Sequence, residues 1–254
     1  MQDFQRETHT INGVKTVVYT AGRGEPLLFL HGAGTFHGFE FARAWTDRFR
    51  VILPYHPGFG ESEDAPAMSQ FHDYVMHYVD LLDALGLAEV NLVGFSLGGH
   101  IAAQFASQQG HRVKKLVLVG PAGMHDNAHP MADVLSLPPE ELVGRLVANM
   151  DVLMPYLPKG PDPDFAAARY REMTTVARLI WEKPRDQKFV RYLHRVTMPT
   201  LVIWGEEDRL IPAQHAEIWR KFLPKADVRI FKDAGHLVLD ERPEAARAVA
   251  EFFG

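Results

Sequence analysis

Short apolar runs recur along the chain, divided by polar segments rich in turn residues. They are "PLLFLHG" (26–32), "FRVILPYHPG" (49–58), "VNLVGFS" (90–96), "KKLVLVGPAG" (114–123), "TLVIWGEED" (200–208) and "DVRIFKDAGH" (227–236). Each predicts a strand apolar on both faces, as strands of a parallel sheet are. The N-terminal stretch is different: "FQRETHTINGVKTVVYTAG" alternates about Asn12-Gly13, which predicts a hairpin closed by a two-residue turn.

Helical periodicity fills the intervals. Phe71, Tyr74, Val75, Tyr78, Leu81, Leu82 and Leu85 share one face, with Ser69 predicted as N-cap and Gly86 as the stop. Leu97, Ile101 and Phe105 repeat at helical spacing up to Gly110. Pro212 and Pro243 stand where first helical turns are predicted to begin. Strands alternating with helices predict an α/β fold whose parallel sheet is covered on both faces.

The rhythm fails once. Residues 124 to about 195 hold no strand pattern but helical segments broken by Pro138, Pro139, Pro155, Pro158, Pro161, Pro163 and Pro184. The interval is too long for a bare loop. A mostly helical insertion over 124–195 is expected, within a core formed by 1–123 and 196–254.

Composition narrows the classes. Of 254 residues 46% are apolar, enough for a sizeable core, and a net charge of −5 comes from interspersed signs. With no basic stripe, nucleic-acid binding is not expected. No run reaches the roughly 18 apolar residues of a membrane span. The first residues lack the basic and apolar regions of a signal peptide, so a cytoplasmic location is expected. There is no cysteine, which removes disulfides, thiolate metal sites and a cysteine nucleophile.

Gly94-Phe95-Ser96-Leu97-Gly98 fits G-x-S-x-G between a strand and a helix. The corner is tight, so the glycines are read as steric requirements and Ser96 as a hydroxyl lifted above the sheet. The backbone N–H of Leu97 then lies at a helix N-terminus, where developing negative charge is favoured. A serine needs a base. Among 13 histidines, His236 is favoured because it closes the last strand run; His9, His72, His77, His111 and His215 lie on hairpin or helix segments, and His125, His129 and His194 in or beside the insertion. Of Glu206, Glu207 and Asp208 after "TLVIWG", Asp208 is the expected orienting acid, giving the chain order Ser96, Asp208, His236.

The chain resembles the α/β-hydrolase superfamily through "LHGAG" (30–34), "YHPGFGES" (55–62), "GFSLGG" (94–99), "WGEEDRLIP" (204–212) and "DAGH" (233–236). The resemblance implies an eight-stranded, mostly parallel sheet with a helical cap after the sixth strand. It also implies that the Ala33 N–H joins that of Leu97 in an oxyanion hole and that His31 is structural. Ser96 separates the chain from haloalkane dehalogenases and epoxide hydrolases, which use aspartate; "HGAG" differs from the "HGGG" common in lipases.

A serine hydrolase of small to medium carboxylic esters is expected, with no cofactor and no metal. Its rivals are a C–C hydrolase of a ring-fission dienoate, a perhydrolase, and a ligand receptor retaining a hydrolase pocket. The insertion carries Met124, Met131, Met150, Met154 and Met173, a deformable pocket wall or simply the insertion's own core. Arg145, Arg169, Arg171, Arg178 and Arg185 are its candidates for holding a substrate carboxylate. His56 is read as a structural loop residue.

Overall fold

Period-two alternation decides how this sheet is covered. In β3 (Glu25–Leu30), Leu27 and Phe29 join one apolar cluster while Leu28 and Leu30 join another. The same division holds in β4 (Phe49–Pro54), β6 (Val113–Val119) and β7 (Thr200–Gly205): Val51, Val117 and Leu201 lie on one face, Ile52, Leu116 and Val202 on the other. Burial on two faces is why these runs read as continuously apolar. The protein is described here by a computed structural model covering residues 3–181, 188–223 and 225–254. Pro184 and Arg185 lie outside the described residues.

With β1 (Gln5–Ile11), β2 (Val14–Ala21), β5 (Val90–Phe95) and β8 (Ala226–Phe231), the sheet has eight strands in the order β1-β2-β4-β3-β5-β6-β7-β8. β1 pairs antiparallel with β2 and β2 with β4; every later pairing is parallel. The hairpin turn falls where the sequence places it. Ile11 pairs with Val14, and Asn12 (φ 48°) and Gly13 (φ 85°) both take positive φ, as a type I′ turn demands.

One face carries α1 (Phe71–Ala84), α2 (Leu97–Gln108) and α5 (His215–Phe222). The other carries α6 (Val238–Glu241), α7 (Pro243–Phe253) and the 3-10 turn Glu40–Trp45. Each fully buried Leu, Ile or Phe in these clusters contributes about 1.5–3 kcal/mol. α1 ends on Gly86 (φ 68°) with Gly86 N–H to Asp83 O and Leu87 N–H to Leu82 O, the paired bonds of a Schellman stop.

Four local expectations are corrected. The N-cap of α1 is Gln70, not Ser69: the Asp73 carboxylate accepts both the Ser69 and Gln70 N–H groups, so the helix starts one residue later. Pro212 lies in the turn leading to α5, whose first residue is His215, because Pro212 O accepts the His215 N–H. β8 is not buried on both faces; it is the sheet's edge, and Ile230 is 47% exposed. His236 also does not end that strand, which stops at Phe231, but sits in the loop before α6.

Between β6 and β7 the described residues form no strand. They contain α3 (Pro139–Leu146), α4 (Pro163–Ile180) and 3-10 turns at Met150–Val152, Met154–Tyr156 and Lys188–Arg195. Asp162 caps α4 by accepting the Phe165 N–H, and Pro163 occupies its first position. Phe189 and Leu193 are buried in the same cluster as α2, whereas Val147 and Leu153 join the cluster on the opposite face.

Candidate active site

Ser96 sits at the C-terminal edge of β5 with φ 52° and ψ −115°, a backbone conformation costing about 1–3 kcal/mol in a non-glycine residue. Its surroundings hold it there. The Ser96 N–H donates to Val119 O at 2.9 Å, and Ser96 O accepts from Ala122 N and His100 N. Glycine is required on both sides, for different reasons. A Cβ on Gly94 would stand 2.5 Å from Gly98 O and from Ala102 Cβ; one on Gly98 would stand 2.1 Å from Leu30 O. The corner is therefore pressed against the end of β3 as well as against itself.

Three distant segments meet at this point. Ser96 Oγ is 2.8 Å from His236 Nε2, and His236 Nδ1 is 2.7 Å from Asp208 Oδ2. A carboxylate only accepts, so Nδ1 carries the proton and Nε2 turns its lone pair to the serine hydroxyl. All three residues are buried, between 2% and 7% exposed, and that burial shields their hydrogen bonds from water. Asp208 is saturated: Oδ1 accepts Leu210 N–H (2.9 Å) and Ile211 N–H (2.8 Å), and Oδ2 also accepts Trp204 Nε1–H (3.1 Å). Gly120, at φ 46°, lies beneath the imidazole; a Cβ there would be 3.4 Å from the His236 ring.

Ala33 and Leu97 border the same cavity as Ser96, a space of about 480 Å³. Leu97 is the first residue of α2, so its N–H has no acceptor inside the helix. The loop carrying Ala33 is fixed by two histidines. His56 N–H donates to His31 Nε2 (2.9 Å), so His31 Nδ1 carries its proton toward Gly32 O (2.6 Å). His56 Nε2–H donates to His31 O (2.7 Å), and its Nδ1 accepts from Tyr78 O–H. Desolvation pulls His56 down to about 3 and His31 well below the ordinary histidine value. Both are neutral structural pieces, His31 as the resemblance implies and His56 as expected of a structural loop residue.

The fold belongs to a recognisable group. A family model described as the alpha/beta hydrolase family matches residues 27–249. The chain belongs to the alpha/beta hydrolase family. Among its relatives, Lipase 1 of Psychrobacter immobilis is 29% identical, over 94% of this chain and 80% of the relative. The 2-hydroxymuconate semialdehyde hydrolase of Pseudomonas putida is 30% identical, over 95% of this chain and 91% of the relative. The crystal structure of a bacterial membrane phospholipase A superposes with a TM-score of 0.79 at 25% identity, covering 99% of this chain and 86% of that one. The protein is thus a hydrolase by family.

Much of the remaining wall of the hydrolase's cavity comes from within the interval that breaks the strand rhythm. Met124, Met131 and Leu135 line it, with Val176, Ile180 and Trp181 from the end of α4. Of the five insertion methionines, Met124 and Met131 face the cavity, whereas Met154 is 59% exposed. The four described arginines singled out above all have protein partners: Arg145 with Glu141, Arg169 with Glu172, Arg171 with Gly60 O, and Arg178 with Asp64. No group of three or more His, Asp or Glu among the described residues is arranged to hold a metal ion. No described helix is long and apolar enough to cross a membrane.

Sequence reasoning missed the supports. Trp204, four residues before Asp208, holds the acid's second oxygen; its spacing gave no signal, because an indole in a buried strand reads as core. Glu172, which accepts the Gly60 N–H, and Glu241, which accepts the N–H of Gly235 beside His236, were missed because carboxylates on helices read as solvated.

Proposed function

We propose that the protein is a serine hydrolase that cleaves small to medium carboxylic esters through an acyl-enzyme. The unbroken chain from Ser96 Oγ through His236 to Asp208, at 2.8 and 2.7 Å, carries this reading. His236 Nε2 takes the hydroxyl proton as Ser96 attacks the carbonyl carbon, and Asp208 holds the tautomer and stabilises the imidazolium. The Leu97 and Ala33 N–H groups receive the oxyanion. Protonated His236 then releases the alcohol and returns as base for the water that clears the acyl group. The described residues of the 124–195 insertion act as a cap that supplies much of the apolar cavity wall.

Cleavage of a ring-fission dienoate is the second reading, favoured by the 30% identity to a 2-hydroxymuconate semialdehyde hydrolase. The ester reading is preferred because the described lining residues include no lysine or arginine to hold such a substrate's carboxylate. Assay of p-nitrophenyl acetate, butyrate and octanoate beside a ring-fission dienoate separates the two. Ester turnover abolished in Ser96→Ala supports the proposal; fast dienoate turnover with feeble ester turnover overturns it.

A further inference from the structure

The loop that carries His236 is tied to the segment that follows α3. Glu241, the last residue of α6, folds its side chain back so that Oε2 accepts the Gly235 N–H at 2.6 Å. Its other oxygen accepts the Ala148 and Asn149 N–H groups, at 2.7 and 2.9 Å. One carboxylate therefore ties the residue before His236 to the segment that follows α3. The residue after His236 is tied to the same place, since Leu237 N–H donates to Leu146 O at 2.8 Å. The fit leaves no slack: a Cβ on Gly235 would stand 2.7 Å from the Val147 carbonyl carbon. On the neighbouring loop Arg209, next to Asp208, donates to Val147 O.

We propose that Glu241 is a positioning residue that couples docking of residues 146–149 to the placement of the His236 imidazole. This rests on the assignment of Ser96 and His236 above. The carboxylate does not touch substrate. It fixes the backbone on which the imidazole is mounted, so the base meets Ser96 Oγ only while the 146–149 segment is seated. Any substrate that lifts this segment on entry must let it return before the proton can move.

Glu241→Gln in the full chain tests this, because an amide offers one acceptor oxygen where three N–H groups need two. On p-nitrophenyl butyrate, kcat is expected to fall about 10–100-fold, since a misplacement of about 1 Å costs about that much, while KM stays within about threefold. Labelling of Ser96 by a fluorophosphonate should slow in the same proportion. A kcat within about twofold of the parent, or a KM rise with kcat kept, overturns the proposal. If Glu241→Gln does not fold, Glu241→Asp, which keeps both oxygens on a shorter stem, is read by the same criteria. Ser96→Ala and His236→Ala are measured alongside. Turnover surviving in those two sinks the acyl-transfer reading itself; turnover lost there but kept in Glu241→Gln sinks only the clamp.

Discussion

A Cβ placed on Gly98 would lie 2.1 Å from the carbonyl oxygen of Leu30. The first turn of α2 thus sits directly on the end of β3, with backbone as the obstacle and no flexible side chain to move aside. Gly98→Ala is expected to destabilise the fold by about 3 kcal/mol or more, in the range of severe steric mutations. Gly13→Ala, where nothing lies within 4 Å and only the positive φ opposes the change, should cost about 1–2 kcal/mol. Urea unfolding of both variants checks the ranking; a Gly98→Ala as mild as Gly13→Ala would contradict the packing described.

Asp208→Asn separates geometry from charge. The side-chain oxygen can go on accepting the Leu210 and Ile211 N–H groups, but the amide nitrogen then faces His236 Nδ1 and Trp204 Nε1–H. The imidazole is driven to carry its proton on Nε2, where it has no lone pair for Ser96 Oγ. On the proposed mechanism kcat falls about 10⁴-fold with the fold intact. Steady-state ester kinetics together with a melting curve decide it: a loss under about tenfold would remove Asp208 from its role.

The strands, their parallel sense and the Ser-Asp-His order were legible because each has a local signature. Two-faced burial makes "TLVIWG" continuously apolar, and a sharp corner leaves glycines around Ser96. What the sequence concealed depends on long-range closure. β8 reads as a buried run although Asp227 and Arg229 alternate with Val228 and Ile230, and its place at the sheet edge leaves Ile230 exposed. Asp73 displaced the predicted cap by reaching back to two N–H groups, which no single capping residue reveals. Glu241 reads as a surface acid until the chain from 146 to 149 arrives beside it.

Buried neutral histidines predict acid sensitivity. Burial lowers His31 and His56, the latter to about 3, and His77 to about 4. In the unfolded chain each titrates near 6.5. Their contribution is therefore complete above about pH 6.5 and is lost as pH falls below it, because the unfolded state binds protons first. Each such group costs up to about 1.4 kcal/mol per pH unit in that window. Urea midpoints from pH 7.5 to 5.0 should fall more steeply for the parent than for His56→Gln, whose amide does not titrate. Parallel slopes would mean that His56 is not buried as described.

Glu172, 2% exposed, binds α4 to the loop beyond Ala33: Oε1 accepts from Thr35 Oγ1 and from Gly60 N–H at 3.1 Å, and Oε2 lies 2.7 Å from Arg169 Nη1. The Arg169 guanidinium also sits over the Phe36 and Phe165 rings, at 5.3 and 5.5 Å. Removing the acid strands a cation whose remaining neighbours are ring faces. Breaking a fully buried pair costs about 3–5 kcal/mol; because Arg169 keeps about a quarter of its side chain in water, about 2–3 kcal/mol is expected for Glu172→Ala. In the Arg169→Met background the same change should cost at least about 1 kcal/mol less, since the stranded charge is gone. A double-mutant cycle by urea unfolding reads this coupling, and additive losses would show that Glu172 acts through Thr35 and Gly60 alone.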